Sequence, residues 1–315
     1  MRRALAALAL AALASAASGA ERFSFAVFGD TPYFGFDEPA VVRLIDSLGD
    51  ARVRFVVHIG DFKTAAVPCS DELFAERRRM FDASPVPFVF VPGDNEWTDC
   101  HRVLAGSHDP IERLAKLREL FYPDDASLGR QRLRLARQSA NARFSAYREN
   151  VRWLMGGVVF VALNVPGSNN NLGRNATMDA EHAARMAANF DWLDAAVRRA
   201  AGRDIRGLVV FAHADPAFGG RAARVDGYVH FREALRAHAA ALATLSKPML
   251  LVHGDGHRYR VDQPLRDRAT WCRLETFTRV EVFGAPEVDW VRVDVDPANP
   301  RLFSIDRGTT AVPPP

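Results

Sequence analysis

Short apolar runs recur along this chain, and five of them stop at a small or polar residue followed by Asp or His. Residues 23–28 run into Gly29-Asp30, 55–59 into Gly60-Asp61, and 88–91 into Pro92-Gly93-Asp94. Residues 208–211 stop at Ala212-His213, and 249–252 at His253-Gly254-Asp255-Gly256-His257. Continuous apolar runs of this length, bounded by Gly and Pro, read as strands buried on both faces. Between the runs the apolar spacing changes to three and four residues, which predicts helices. These cover 39–48, with Pro39 at the start, 71–82, and 109–121, where Ile111, Leu114, Leu117 and Leu120 fall on one side. A longer helix is predicted from a cap at Thr177 or Asp179 to about Ala200, closed by Gly202, and a further one over 234–245, stopped before Pro248. Strands alternating with helices give α/β layers.

Three stretches read differently. Residues 128–152 carry seven arginines, and Leu133 and Leu135 alternate with Arg132 and Arg134, the pattern of a strand or exposed hairpin with a solvated basic face. Residues 158–163 form another apolar run, which leads into a polar loop, 164–171, containing Asn164 and Asn169 to Asn171. After His257 the pattern turns to short β segments over 279–283, 290–295 and 302–305, expected to pair as a second sheet packed on the first.

Composition narrows the setting. Arg2 and Arg3, an apolar stretch over 4–13 and small residues over 14–20 make 1–20 an expected export signal, too short for a membrane span. Of 41 basic residues two lie in that segment, leaving 39 against 38 acidic ones, a net charge of +1. A near-neutral chain gives no general argument for nucleic acid or anionic membrane binding. Export permits disulfides, so either a Cys69–Cys100 bridge clamping two loops at one sheet end, or three unpaired thiols, fits the sequence. With the bridge, Cys272 is a leftover expected to be buried.

The five strand ends carry the chemistry. Carboxyl ends of strands in α/β sheets are where ligands sit, and Asp and His there are hard and borderline metal ligands. Several such groups on rigid strand ends suit one or two divalent ions acting on a phosphoester, where two metals stabilise both attacking and leaving oxygens. His58 and His253 lie inside strand runs, and His58 reads as a hydrogen-bonded core histidine. His182, His230 and His238 fall on helical patterns and are expected to face solvent.

In order, Gly-Asp, Gly-Asp, Gly-Asp-Asn-Glu, His and Gly-x-x-His resemble the motifs of the calcineurin-like metallophosphoesterase superfamily over residues 23–257. The resemblance implies an α/β/β/α sandwich of two mixed sheets in one domain, 21–315, with the site at the carboxyl ends of the first sheet. It implies metal ligands at Asp30, Asp61 (bridging), Asp94, His213, Asp255 and His257, and a metal-bound hydroxide attacking phosphorus. The expected cofactor is one or two ions of Mn, Mg, Ca, Fe or Zn, and the expected partner a small-molecule phosphoester, in a secreted or periplasmic protein. Position 32 is Pro where the family has a ligand His, Asn95 replaces the proton-donating His, and Asp255 replaces another His. Carboxylates in place of imidazoles favour harder ions. His101 and Tyr33 are candidates for the missing catalytic groups, and Arg102, Lys63 and Asn164 for holding substrate. The departures leave open a rival reading, a catalytically degenerate exported binding protein with a single-metal or empty site. No feature of the sequence speaks to oligomeric state.

Overall fold

A computed structural model describes residues 21–219 and 224–308, so the expected export segment lies outside the described residues. Twelve strands and six helices follow in the order β1 (Phe23–Phe28), α1 (Glu38–Ser47), β2 (Val56–His58), α2 (Asp71–Asp82), β3 (Phe88–Phe90), α3 (Pro110–Phe121), β4 (Ala136–Arg137), β5 (Val151–Met155), β6 (Val158–Ala162), α4 (Gly167–Asn170), α5 (Ala176–Ala200), β7 (Gly207–Phe211), α6 (Val229–Ala243), β8 (Met249–His253), β9 (Arg260–Asp262), β10 (Phe277–Glu281), β11 (Val291–Val295) and β12 (Phe303–Arg307). α4 is a single turn in which Ser168 and Asn169 take left-handed backbone.

The strands form two mixed sheets. One has five strands in the order β12-β11-β1-β2-β3, the other seven in the order β4-β5-β6-β7-β8-β10-β9. β1, β2 and β3 are parallel, as are β6, β7, β8 and β10, so each sheet gathers several carboxyl ends at one edge.

Alternation along the strands builds three cores. Phe25, Val27, Phe55, Val57, Val209, Phe211, Leu250 and Val252 point between the sheets. Phe25 stacks on Phe55 at 5.0 Å and meets Phe160 edge-on at 5.5 Å, so aromatic packing ties the two sheets together. Ala26, Phe28, Val56 and Phe88 point outward beneath α1, α2 and α3. Val161, Leu208, Val210 and Leu251 point outward beneath α5 and α6. The result is four layers, α/β/β/α, in which nearly every central strand is buried on both faces.

Several expectations need correction. The late strands do not make the second sheet: β11 and β12 join β1 through antiparallel pairing, β10 joins β8, and the second sheet comes mainly from the middle of the chain. The long helix is capped by Asn175, which accepts from Met178 N at 3.0 Å, not by Thr177 or Asp179. α6 starts at Val229, a turn earlier than expected, because Phe231 extends the buried stripe of Leu235, Ala239 and Leu242. Within 128–152 only Ala136 and Arg137 pair with β5, and Arg137 is buried, donating to the carbonyls of Asp124, Ala126 and Arg148 rather than facing solvent. His182 and His238 are half-buried, on the Asn170 carbonyl and the Asp194 carboxylate, and of the three helix histidines only His230 is exposed. Cys69 and Cys100 are joined and buried, whereas Cys272 is exposed, on a short turn closed by Arg266 and Arg273.

Candidate metal centre

The five marked strand ends meet where the carboxyl edges of the two sheets converge. β1, β2 and β3 of the smaller sheet deliver Asp30, Asp61 and Asp94; β7 and β8 of the larger deliver His213, Asp255 and His257. The cluster therefore lies between both sheets, not on the rim of the first alone. Oxygens of Asp30 and Asp61 and a ring nitrogen of His213 lie within 4.8 Å of one another, as do those of Asp94, His213 and Asp255. His213 Nε2 is 3.0 Å from Asp94 Oδ1, 3.6 Å from Asp61 Oδ1 and 3.7 Å from Asp255 Oδ1. His257 Nε2 is 3.4 Å from Asp30 Oδ1 and 2.7 Å from the Tyr33 hydroxyl.

Backbone geometry makes the convergence possible. Asp30, Asp61, Asp255 and His257 have φ of 53°, 57°, 71° and 58°, a conformation that non-glycine residues seldom adopt and that concentrates at functional sites. Gly60 shares it, with φ of 89°. Gly93 matters for a different reason: a Cβ there would run into the Asp61 carboxylate.

Groups around the cluster hold its members in orientation. His213 Nδ1 lies 2.6 Å from the Ile59 carbonyl and His257 Nδ1 2.8 Å from that of Ala285, so each ring donates from Nδ1 and turns Nε2 inward. Glu96 accepts from the amides of Asp61 and Gly93. Asn95 fixes both Asp61 oxygens, with its amide N on Oδ1 at 2.9 Å and Nδ2 on Oδ2 at 2.6 Å. Ser168 Oγ lies 2.8 Å from Asp94 Oδ2 and 2.7 Å from Asp99 Oδ1.

Crowded buried carboxylates shift one another. Burial and the neighbouring Asp94 charge raise Asp61 well above the usual carboxylate range, and burial with Asp94 and Asp30 pushes Asp255 up to about 7. Burial also opposes ionisation of Asp94, but the hydrogen bond and charge of His213 bring it down to about 2. His213 is held well above the usual imidazole range against its burial, chiefly by Asp61 and Asp94. Such an excess of negative charge calls for a cation, and the donor set of carboxylate oxygens with two imidazoles fits one or two divalent ions.

The remaining candidates fall unevenly. Tyr33 faces the cluster, its hydroxyl 3.2 Å from Asp61 Oδ2, and burial with the Asp61 and Asp30 charges keeps its phenol protonated. Arg102 stands at the edge, paired to Asp99 Oδ2 at 2.7 Å. Lys63 is fully buried with Nζ on the Thr64 carbonyl at 3.1 Å, an internal counter-charge to Glu96 and Asp61. Asn164 is also buried, donating to Glu149 Oε1 at 3.1 Å, and does not line the opening. His101 is exposed and turned to the Thr98 carbonyl, 2.8 Å away, with no contact to the cluster. His58 is a core histidine, bound to the Thr31 carbonyl at 2.8 Å and accepting from Gly60 N at 3.1 Å. Glu96, Ser168, Asp99 and Arg174 were not singled out by the sequence. Glu96 had a signal in Gly-Asp-Asn-Glu and Ser168 in the polar loop, while Asp99 and Arg174 had none. A cavity of about 720 Å³ near Pro248, Gln263 and Arg301 shares no residue with the cluster.

No family model matches the chain, and no curated protein matches it. Solved structures do. PhoD aligns with a TM-score of 0.55 at 13% identity over 88% of this chain, which spans 64% of the PhoD chain. A purple acid phosphatase, PPD1, from yellow lupin (Lupinus luteus) seeds aligns at 0.52 and 12% identity, over 87% of this chain and 49% of that one. A dimetal phosphatase from Danio rerio aligns at 0.50 and 13% identity, over 86% of this chain and 95% of that one. These are calcineurin-like metallophosphoesterase structures, and the α/β/β/α fold of this chain is theirs.

Proposed function

We propose that the chain is an exported, metal-dependent phosphoester hydrolase, a single domain over 21–315 once 1–20 is removed. The observation that carries this reading is the meeting of six Asp and His side chains from five strand ends and two sheets in one cluster, four of them buried and Asp255 and His257 half-buried at its mouth. Asp30, Asp61, Asp94, His213, Asp255 and His257 would hold one or two divalent ions. Such ions supply a water made acidic enough to attack at neutral pH and positive charge against the phosphoryl oxygens.

The chain's own groups orient and protect. Asn95 and Glu96 lock Asp61 in place, and the Ile59 and Ala285 carbonyls fix the two imidazole tautomers. Tyr33 offers a protonated hydroxyl beside Asp61, and Arg102 stands ready for phosphoryl oxygens. Asn95 carries no exchangeable acid proton, so the reading favours esters whose leaving group departs without one. The buried disulfide fits an oxidising compartment.

A second reading has its own support. His213 pairs directly with Asp94 at 3.0 Å, an ion pair that can satisfy the cluster without a cation. That reading is a binding protein with a degenerate site. Elemental analysis of protein from its own compartment, with turnover of p-nitrophenyl phosphate, separates the two. Bound divalent metal and a turnover lost in Asp61→Asn support the hydrolase; a fully stable, metal-free and inactive protein supports the other.

A further inference from the structure

Beside the cluster lies an uncharged surface the hydrolase reading does not use. Phe36 is 78% exposed, Val103 84%, Leu104 68% and Phe34 44%, a concentration of large apolar side chains in water that marks a binding surface. They sit on the loops that follow β1 and β3. The intervening loop after β2 joins them: Thr64 N reaches the Tyr33 carbonyl at 3.5 Å, and Cys69 N the Ala105 carbonyl at 2.9 Å. Residues 31–36, 64–68 and 103–107 contain no charged side chain. The loops are also fixed. Asp37 Oδ2 accepts from the amides of Tyr33 and Phe34 at 3.2 and 3.1 Å, Phe34 stacks on Phe36 at 5.2 Å, and the Cys69–Cys100 bridge ties the second loop to the third.

Two guanidinium groups adjoin this surface. Arg102, next in sequence to Val103, pairs with Asp99 Oδ2 at 2.7 Å. Arg174 approaches Asp99 Oδ1 at 3.9 Å and donates to Asn171 Oδ1 at 3.1 Å. Asp99, itself buried, thus aims both at one place, beside Ser168 and Asp94. Among the described residues Arg102 Nε and Nη1 and Arg174 Nε make no hydrogen bond, which leaves donors for an anion.

We propose that this site takes phosphoesters carrying a large apolar group, with Arg102 and Arg174 on the phosphoryl oxygens and the apolar group laid on Phe34, Phe36, Val103 and Leu104. The proposal rests on the phosphoester reading and names its substrate class. Charge and continuity choose the occupant: the basic pair asks for an anion, the neutral rim beside it for hydrocarbon, and both lead into the cluster.

Calorimetric titration of the full chain with methyl-, hexyl- and decylphosphonate, below their micelle concentrations, tests it without turnover. A fully buried methylene is worth about fourfold in affinity, so an open rim should give roughly twofold per methylene at first, and decylphosphonate should bind at least about tenfold more tightly than methylphosphonate. The double variant Phe36→Ser, Leu104→Ser should flatten that series, and Arg174→Gln should weaken every phosphonate about equally. Equal affinity for all three in the wild-type chain overturns the proposal. So does a flat series together with sedimentation on phosphatidylcholine vesicles that the double variant loses, which makes the rim a lipid-surface contact. No phosphonate binding and no metal uptake would instead remove the phosphoester reading itself.

Discussion

Asp61 has a left-handed backbone, a carboxylate raised by burial and by its acidic neighbours, and both oxygens held by Asn95. The left-handed strain costs about 1–3 kcal/mol, and burying the carboxylate beside Asp94 costs more until a cation compensates, the Asn95 hydrogen bonds offsetting part of it. Among non-glycine residues Asn, like Asp, tolerates that backbone comparatively well. Asp61→Asn should therefore raise the melting temperature of the metal-free protein while cutting metal content and lowering p-nitrophenyl phosphate turnover at least about a thousandfold. A variant that melts lower than wild type when both are metal-free would show that charge crowding is not what Asp61 endures. His58 works in the opposite sense. Its burial lowers its pKa to about 3, so the unfolded chain takes up the proton first as pH falls. The stability it lends is whole above about 6.5 and is lost on acidification towards 3, at up to about 1.4 kcal/mol per pH unit. From pH 7 to pH 5 the denaturant midpoint of His58→Gln should shift towards greater stability relative to that of wild type, although the variant starts lower because one buried bond is gone.

At the scale of elements, the loops after β2 and β3 bear Asp61, Asp94, Arg102 and the Val103–Leu104 half of the apolar rim, and the Cys69–Cys100 bridge joins them across a separation of 31 residues. A loop of that length removes about 3–4 kcal/mol of chain entropy from the unfolded state. The double variant Cys69→Ser, Cys100→Ser should lose about that much stability in denaturant titrations, and more so than either loop's surface variants. The main strands and helices were legible because their apolar runs are unbroken and their caps and prolines local. The length of α6 was not, because Phe231 reads as core only once the sheet beneath it exists. Arg137 read as solvated for the same reason: its partners are carbonyls from 11 to 13 residues away, which no periodicity announces. Lys63 and Asn164 were plausible substrate contacts by type, and their burial against the Thr64 carbonyl and Glu149 is something one residue's identity does not declare. Asp99 and Arg174 acquire meaning only by meeting across the fold.

For the whole molecule, the sites of chemistry were legible where a Gly-Asp or Ala-His followed a strand run, but which sheet each strand joined was not, since pairing of β1 with β11 spans nearly the entire described chain. The consequence of bringing both sheets' carboxyl ends together is a concentration of negative charge that the fold tolerates poorly alone. A carboxyl whose folded pKa is raised binds its proton more tightly when folded. Its contribution is present below the unfolded value near 4 and disappears as pH rises through the folded value, about 7 for Asp255, with Asp61 acting in the same direction. His213, raised by the same carboxylates, also favours the folded chain at low pH and adds to the slope. The metal-free protein should therefore melt lower at pH 7.5 than at pH 5, by the excess of these three groups over the opposing buried His58 and His253, each kcal/mol moving the midpoint by about 2–4 °C in a chain of this size. A bound divalent ion replaces those protons, so added Mn or Mg should lift the pH 7.5 midpoint most and remove the decline, by a margin growing with the logarithm of ion concentration. Melting curves at both pH values, with chelator and with each ion, check the sign directly; a chelated protein that is more stable at pH 7.5 than at pH 5 would mean the clustered Asp and His residues do not bear the charge assigned to them.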